Sequence, residues 1–295
     1  MAYEFRVSPH LNPDEQLPAP DRLEWPEGHR LALCLGFEMW STDSFDALQI
    51  IGSTVDFGVR RGYANVLDVL ARHGARATFF VNGLTAEAHP GVVGEIAAAG
   101  HEVAPLGYTL APHWDMAPDH EREQIRRGVE AVAKAAGAPV TGWRTPFSRP
   151  SRLTLAALRE AGLRWDSSLR NDERVARFPL PGGPLLEIPF GGAADYNYYS
   201  PFPGPVKLMP AVRSVYLDEL DLLGRESARY ARLAVFTFNP SYTGRPADLG
   251  MLDAVLAAAG ELEPSAWPAR FGDVAEWLGG HEEWFVSPDE ALESA

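Results

Sequence analysis

The sequence predicts an α/β fold in which short buried strands alternate with amphipathic helices. Leu31–Leu35 is a continuous apolar run, typical of a strand buried on both faces. Apolar residues recur at helical spacing in Val66–Leu70, and His73-Gly74 is typical of a helix end. Ala77–Val81 is a second buried strand. Because alternating strands and helices form parallel β-α units, we expect a closed barrel or an open wound sheet.

The rest of the chain continues this alternation. Further strands are expected at 102–104, 140–144, 185–189 and 233–238, and helices at 91–99, 119–136, 151–162 and 248–259. Acidic residues occupy the first turn of the 119–136 helix, where they favour the helix dipole, and Ser151 is placed to cap the helix that follows. The proline-rich stretch 179–210 predicts an irregular lid or a subunit contact.

The domain organisation is expected to be simple. Residues 1–30 are rich in proline and charge and predict an extended arm, and residues 31–295 predict a single domain. A hydrophobic content of 46% is ample for a full core. Cys34 is the only cysteine, so no internal disulfide is possible, and its place in a buried strand predicts an unreactive thiol.

Composition also restricts the partners. The net charge of −14 argues against nucleic acid and against an anionic membrane surface, which both attract basic proteins. The chain shows neither a secretory signal nor the roughly 20 apolar residues of a membrane span. These features predict a cytoplasmic protein that acts on a small molecule, and we expect it to form a homo-oligomer.

Five motifs carry the main functional signal of the chain. They are Phe37-Glu38-Met39-Trp40, the segment from Gly100 to Leu110, Gly142-Trp143-Arg144-Thr145-Pro146, Trp165-Asp166-Ser167-Ser168 with Asn171-Asp172, and Phe236-Thr237-Phe238-Asn239-Pro240. Together they resemble the polysaccharide deacetylase (carbohydrate esterase family 4) superfamily, and most closely its allantoinase-like branch, which acts on small amides and cyclic ureides. The resemblance spans about residues 31–278 and implies an irregular (β/α)7 barrel.

The resemblance also implies a metal site, and this chain departs from it. In the family, a general base and a metal ligand follow one another at the end of the first strand, and these positions carry Glu38 and Met39. The two metal-binding histidines of the family correspond to Leu106 and Leu110. Zinc-like ions need three or four N, O or S donors, and leucine offers none. The sequence therefore predicts a site with no metal and no other cofactor.

Glu38 is the leading candidate for a catalytic residue. It would lie at the carboxyl end of a barrel strand, where this architecture places its active site. Apolar neighbours should raise its pKa, which suits general acid-base chemistry near neutral pH. The alternative is a structural salt bridge between Glu38 and Arg144.

By the same resemblance, Arg144 would orient this carboxylate, and Asp166 would orient a histidine that is Asn239 here. Asparagine cannot shuttle a proton near pH 7, so the parent hydrolytic route loses its acid as well as its metal.

A largely apolar pocket is expected around these residues, formed by side chains at the barrel mouth. For each aromatic residue the alternative is ordinary core packing, and for His113 it is a half-exposed loop position. The expected substrate-binding residues are Trp40, Met39, Leu106, Tyr108, Leu110, His113 and Phe147.

Three functions remain open. The first is a metal-independent enzyme with Glu38 as general acid/base, which hydrolyses a C–N bond or catalyses an elimination, cyclisation or isomerisation in specialised metabolism. The second is an inactive paralogue that binds a ligand or stabilises a partner. The third is a conventional metal-dependent deacetylase, which would need either a motif correspondence shifted by one residue or His113 in place of a lost ligand.

Overall fold

The computed structural model describes residues 14–44, 54–170, 172–192, 194–199, 209–262 and 264–293. Residues 1–13 of the expected arm, Asn171 and most of the second half of the proline-rich stretch lie outside the described residues. The remainder of the arm packs on the body: Leu17, Leu23 and Trp25 are buried. Residues 14–30 therefore contribute to the core.

The described ranges contain the following strands and α-helices, besides short 3-10 helices and a π-helix at Gly58–Gly62. The strands are β1 (Leu17–Pro18), β2 (Leu31–Met39), β3 (Thr78–Val81), β4 (Glu102–Pro105), β5 (Gly142–Trp143), β6 (Trp165–Asp166), β7 (Ala176–Leu180), β8 (Gly183–Glu187), β9 (Arg232–Phe238), β10 (Trp267–Ala269) and β11 (Phe285–Val286). The helices are α1 (Tyr63–Arg72), α2 (Gly83–Ala88), α3 (Pro90–Ala98), α4 (Pro118–Ala136), α5 (Thr154–Glu160), α6 (Tyr196–Tyr199), α7 (Met209–Glu226), α8 (Leu249–Gly260), α9 (Phe271–Gly279) and α10 (Pro288–Glu293).

The strands form a barrel-like circuit of parallel neighbours. β2 pairs with β9 along one edge, and with β10 and then β3 along the other, and β4 follows β3. A second sheet has the order β5-β6-β8-β7, in which only β7 is antiparallel. Single bridges, Leu106 to Arg144 and Ala194 to Thr237, connect the two sheets. The prediction of an α/β fold with an irregular, incomplete barrel is confirmed.

Alternation along β2 defines two faces of this barrel. Leu33, Phe37 and Met39 join the outer hydrophobic cluster that packs under the helices. Ala32 and Cys34 join the inner cluster. All nine residues of β2 are buried, as its continuous apolar run predicts, and side chains on one strand alternate between these two faces.

Some elements differ from the expected ones. The helix expected at 151–162 begins at Thr154, because the Ser151 Oγ accepts the backbone N–H of Leu153 (2.9 Å) in a turn before it. β7 and β8 form a hairpin inside the stretch expected to be irregular, and β1 pairs with β11 at the other end of the chain. The helices of the described residues include none with the length and apolarity to cross a bilayer.

Candidate active site

The centre of the candidate site is the pair of Glu38 and Arg144. Glu38 lies on β2 one residue before the strand ends, and alternation turns its side chain to the inner face that Ala32 and Cys34 share. Its Oε1 lies 3.4 Å from Nη1 of Arg144. The side chain of Glu38 is 5% exposed and that of Arg144 is fully buried. The structure therefore contains the ion pair that the sequence left as an alternative to catalysis.

Arg144 is held by more than this carboxylate. Its Nε donates to the carbonyl of Ser167 (2.9 Å), and its Nη2 donates to the hydroxyl of the same residue (2.7 Å). Its Nη1 also donates to the Thr237 hydroxyl (3.1 Å). The guanidinium lies over the rings of Phe80 (3.8 Å) and Phe190 (4.4 Å), a geometry that favours a cation. These hydrogen bonds and ring contacts, together with the contact to Glu38, fix the position of the arginine side chain.

The positions that correspond to metal ligands do not fit a metal ion. Leu106 and Leu110 are buried in the inner cluster, with Trp40 packed against it. Met39 faces the opposite way, in the outer cluster, so its thioether does not join the two leucines. Hydrocarbon at these positions cannot coordinate a cation. Among the described residues, no group of three His, Cys, Asp or Glu side chains could do so either.

Only some of the residues expected to form the pocket lie together. Trp40, Leu106 and Leu110 come together on the inner face, whereas Met39 does not belong to that group. The period-two alternation of a strand could have separated Met39 from Glu38 in advance, because adjacent residues point to opposite faces.

Asp166 is fully buried and its partner is Glu187, which the sequence analysis did not select. The two residues are paired in register on β6 and β8. Burial, and then the charge and hydrogen bond of Asp166, raise the pKa of Glu187 well above its ordinary value. Burial also raises the pKa of Asp166, against opposing contributions from Glu187, Ser168 and Arg144.

Asn239 follows β9 next to Glu38, since its neighbour Phe238 pairs with Phe37 on β2. Its backbone N–H donates to Asp195 (3.0 Å), and its Oδ1 accepts the N–H of Ser241 (2.8 Å). Its Nδ2 is buried and has no acceptor among the described residues. Asp166 and Asn239 therefore have different partners, and the structure of the described residues shows no hydrogen bond between the two side chains.

Tyr108 and His113 lie in polar networks of their own. The hydroxyl of Tyr108 donates to Glu87 (3.1 Å) and accepts a hydrogen bond from Arg127, whose guanidinium stacks on the ring. His113 is buried, with its Nδ1 3.3 Å from Glu121 on α4 and its ring against Trp143 of the outer β5 face. The half-exposed position expected for His113 is therefore wrong, and its role in substrate binding stays a prediction.

Glu121 explains why His113 is buried. Burial alone would raise the pKa of Glu121, but hydrogen bonds from His113, Ser151 and Thr154 outweigh burial and lower it. The network ties the loop before α4 to the loop before α5.

Phe147 is the expected binding residue with the clearest exposure. Its side chain is 56% exposed, and both Phe147 and Ser148 have positive φ angles (59° and 53°), which are strained for residues other than glycine. Trp114 is also exposed, and Arg149 lies over its ring at 4.5 Å.

The larger cavities open elsewhere. One of about 530 Å³ lies between α7 and β9, beside Glu219 and Arg232. Another of about 720 Å³ opens near the amino ends of β4 and β6, beside Glu102 and Arg270. The candidate site is therefore defined by the ion pair of Glu38 and Arg144 and not by cavity size.

Comparison with known proteins agrees with this architecture. Residues 47–165 match the polysaccharide deacetylase family model. A peptidoglycan deacetylase-like protein of Gibberella zeae is 25% identical over 52% of this chain, which spans only 45% of that protein. A candidate polysaccharide deacetylase of Schizosaccharomyces pombe is 29% identical, over 78% of this chain and 77% of its own length.

Solved structures extend the likeness to the whole fold. A candidate polysaccharide deacetylase from Mycobacterium smegmatis has a TM-score of 0.82 and 26% identity, over 90% of this chain and 94% of its own. An allantoinase has a TM-score of 0.78 and 23% identity, over 90% and 94%. A carbohydrate esterase family 4 pseudoenzyme from Bacillus anthracis has a TM-score of 0.51 and 14% identity, over 83% and 65%. The chain is therefore similar to polysaccharide deacetylases in sequence over residues 47–165 and in fold over most of its length.

Proposed function

We propose that this chain is a metal-independent enzyme that cleaves a C–N bond in a small, largely apolar amide or ureide, with Glu38 as the general acid/base. The observation that carries the proposal is the environment of Glu38. Its carboxyl group lies at the carboxyl end of β2, oriented by Arg144 (3.4 Å), and leucine side chains fill the neighbouring positions. Apolar surroundings of this kind suit an apolar substrate.

The chemistry needs one proton carrier. Glu38 removes a proton from water as the water oxygen bonds to the carbonyl carbon, and it then gives that proton to the nitrogen as the C–N bond breaks. The Nδ2 of Asn239, buried and without an acceptor among the described residues, is available to donate to the substrate oxygen. The allantoinase among the structural neighbours supports a ureide as one substrate class.

The test uses the purified full chain and three groups of compounds: small N-acyl amides with apolar groups, cyclic ureides, and N-acetylated chito-oligosaccharides. We expect turnover of an amide or ureide that a metal chelator does not reduce. Glu38→Gln should lower that turnover by about 10²–10⁴-fold, the usual contribution of a general acid/base. Turnover of the oligosaccharides that requires added zinc would contradict the proposal.

Glu102→Gln is the matched control, because Glu102 is a second barrel glutamate whose Oε2 accepts hydrogen bonds from Thr78 (2.6 Å) and Gly272 (2.9 Å). It lies at the start of β4, at the opposite end of the strands from Glu38. This substitution should leave turnover unchanged. Equal losses in the two variants would point to destabilisation instead of catalysis.

A second candidate is a protein that binds its ligand without turnover. The low exposure of Glu38 (5% of its side chain) and its ion pair with a fully buried arginine favour it. The pseudoenzyme among the structural neighbours shows that the fold is found without activity. Binding of an amide or ureide that Glu38→Gln leaves intact, with no turnover in either protein, would establish this alternative.

A further inference from the structure

Two fully buried carboxyl groups face each other on neighbouring strands. Asp166 of β6 and Glu187 of β8 are paired in register. Glu187 Oε1 accepts the backbone N–H groups of Ser168 (3.0 Å) and Leu169 (2.7 Å). Asp166 Oδ1 accepts the Ser168 hydroxyl (2.7 Å). The other oxygen of each group is buried and has no donor among the described residues.

Two ionised carboxylates side by side in a dry interior repel each other, and each would also lack a hydrogen bond for one oxygen. A single proton between Asp166 Oδ2 and Glu187 Oε2 removes one charge and gives both oxygens a partner. We propose that Asp166 and Glu187 share one proton, held by Glu187, and that Glu187 is the residue that fixes Asp166 in place of the residue at position 239.

The pair also has a positioning role, and this part of the inference rests on the proposed function. Both carboxyl groups contact Ser168 in the turn at 167–169: Glu187 accepts its backbone N–H, and Asp166 accepts its hydroxyl hydrogen. The same hydroxyl oxygen accepts the backbone N–H of Thr145 (2.8 Å). Ser167 of the same turn makes two hydrogen bonds to Arg144. Glu187 therefore acts on Glu38 through the turn and the arginine.

The charged group that acts on the pair from β5 is Arg144, whose guanidinium lowers the pKa of Asp166 and whose other partner is Glu38. From α5, Arg159 turns away to the carbonyls of Gly182 (2.8 Å) and Leu163 (2.9 Å). Because Arg144 is already paired with Glu38, it cannot neutralise two further carboxylates, and a singly protonated pair halves the negative charge that would otherwise be left in the interior.

A cycle of amide substitutions tests the shared proton directly. Glu187→Gln can donate from its amide to Asp166, and Asp166→Asn can donate to an ionised Glu187, so either single variant keeps every hydrogen bond. In the double variant two NH₂ groups face each other. We expect the double variant to raise the unfolding equilibrium constant by a factor that exceeds the product of the two single-variant factors by about 2- to 150-fold.

The control cycle combines Asp166→Asn with Asp253→Asn, which lies exposed on α8, and should be additive. Additive effects of Asp166→Asn and Glu187→Gln would overturn the proposal. A stability that increases from the wild type to the single variants and again to the double variant would also overturn it. That order would mean that each neutral amide removes repulsion between two ionised carboxylates.

The pH dependence gives a second test that needs no substrate. A glutamate that keeps its proton in the folded state and loses it on unfolding makes stability fall as pH rises above its ordinary pKa. The unfolding equilibrium constant of the wild type, relative to Glu187→Gln, should therefore rise about tenfold per pH unit above roughly pH 5, until the folded group titrates. A ratio that stays constant between roughly pH 5 and pH 8 would refute the shared proton.

Glu187→Ala, which removes the side chain, should be far less stable than Glu187→Gln at neutral pH. Equal stabilities would contradict the role of the side chain in fixing Asp166. Because none of these measurements involves turnover, they test the shared proton even if the comparison of Glu38→Gln with wild type refutes the proposed function.

Discussion

The sharpest stability prediction concerns Arg144→Lys, which keeps the charge and removes the fork of donors. The guanidinium donates to Ser167 at 2.9 Å and 2.7 Å, to Thr237 at 3.1 Å and to Glu38 at 3.4 Å. A lysine ammonium carries its three donors on one atom and cannot reach partners on three strands or turns at once.

At least two of these four contacts should be lost. A hydrogen bond to a charged group contributes about 1.5–3 kcal/mol, so Arg144→Lys should lower the free energy of unfolding by about 3–6 kcal/mol. The lost stacking on Phe80 adds to this. Because a typical domain has only about 5–15 kcal/mol of stability, the effect should be large in urea denaturation followed by tryptophan fluorescence.

Arg149→Lys is the matched control. Arg149 also stacks on an aromatic ring, that of Trp114, but both side chains are exposed. An exposed substitution of this kind should change stability by about 0.5 kcal/mol or less. If Arg144→Lys also stays within about 1 kcal/mol of wild type, with an unchanged slope against urea, the guanidinium fork does not hold the site together.

Two further predictions use the same denaturation assay. Gly142→Ala places a Cβ 1.8 Å from the Trp165 ring and should destabilise the fold by about 3 kcal/mol or more. Gly279→Ala, which has open space around its Cβ, should not destabilise it. Similar effects of the two substitutions would contradict the close packing of β5 on β6. Burial first, and then nearby arginines, lower the pKa of His101 to about 4, so the folded state resists its protonation and wild-type stability should fall as pH drops from 6.5 towards 4. His101→Asn, which can still accept the N–H of Ala77, should show a shallower fall, and an unchanged pH profile would exclude His101 as its source.

The barrel strands that carry a continuous apolar run could be predicted, whereas the short strands β6 and β10 could not. The apolar run at Leu31–Leu35 is part of a strand buried on both faces, and the run that includes Val235 is likewise buried over its whole length. The motif positions of Glu38 and Arg144 also placed the two residues of the central ion pair, because strand ends meet on one side of a parallel sheet.

The remaining parts of the site depend on pairing between distant segments, which no local pattern encodes. Glu187 lies on an apolar strand, and only the register of β8 against β6 brings it to Asp166. His113 could not be assigned from its loop, because its partner Glu121 lies on the next helix and faces inward. β1 pairs with β11 at the far end of the chain, which concealed the packing of the amino-terminal segment.

The way in which Arg144 is held decides how the central experiment can be interpreted. Three of its hydrogen bonds go to Ser167 and Thr237, and its guanidinium lies over the rings of Phe80 and Phe190. These contacts persist when Glu38 becomes glutamine, whose amide oxygen can still accept from Nη1. Removing a whole partner from a buried ion pair costs about 3–5 kcal/mol, and the isosteric amide should cost less because it leaves the arginine partly compensated. The Glu38→Gln protein should therefore remain folded, so that a loss of turnover in it reports on proton transfer by the carboxylate and not on collapse of the barrel.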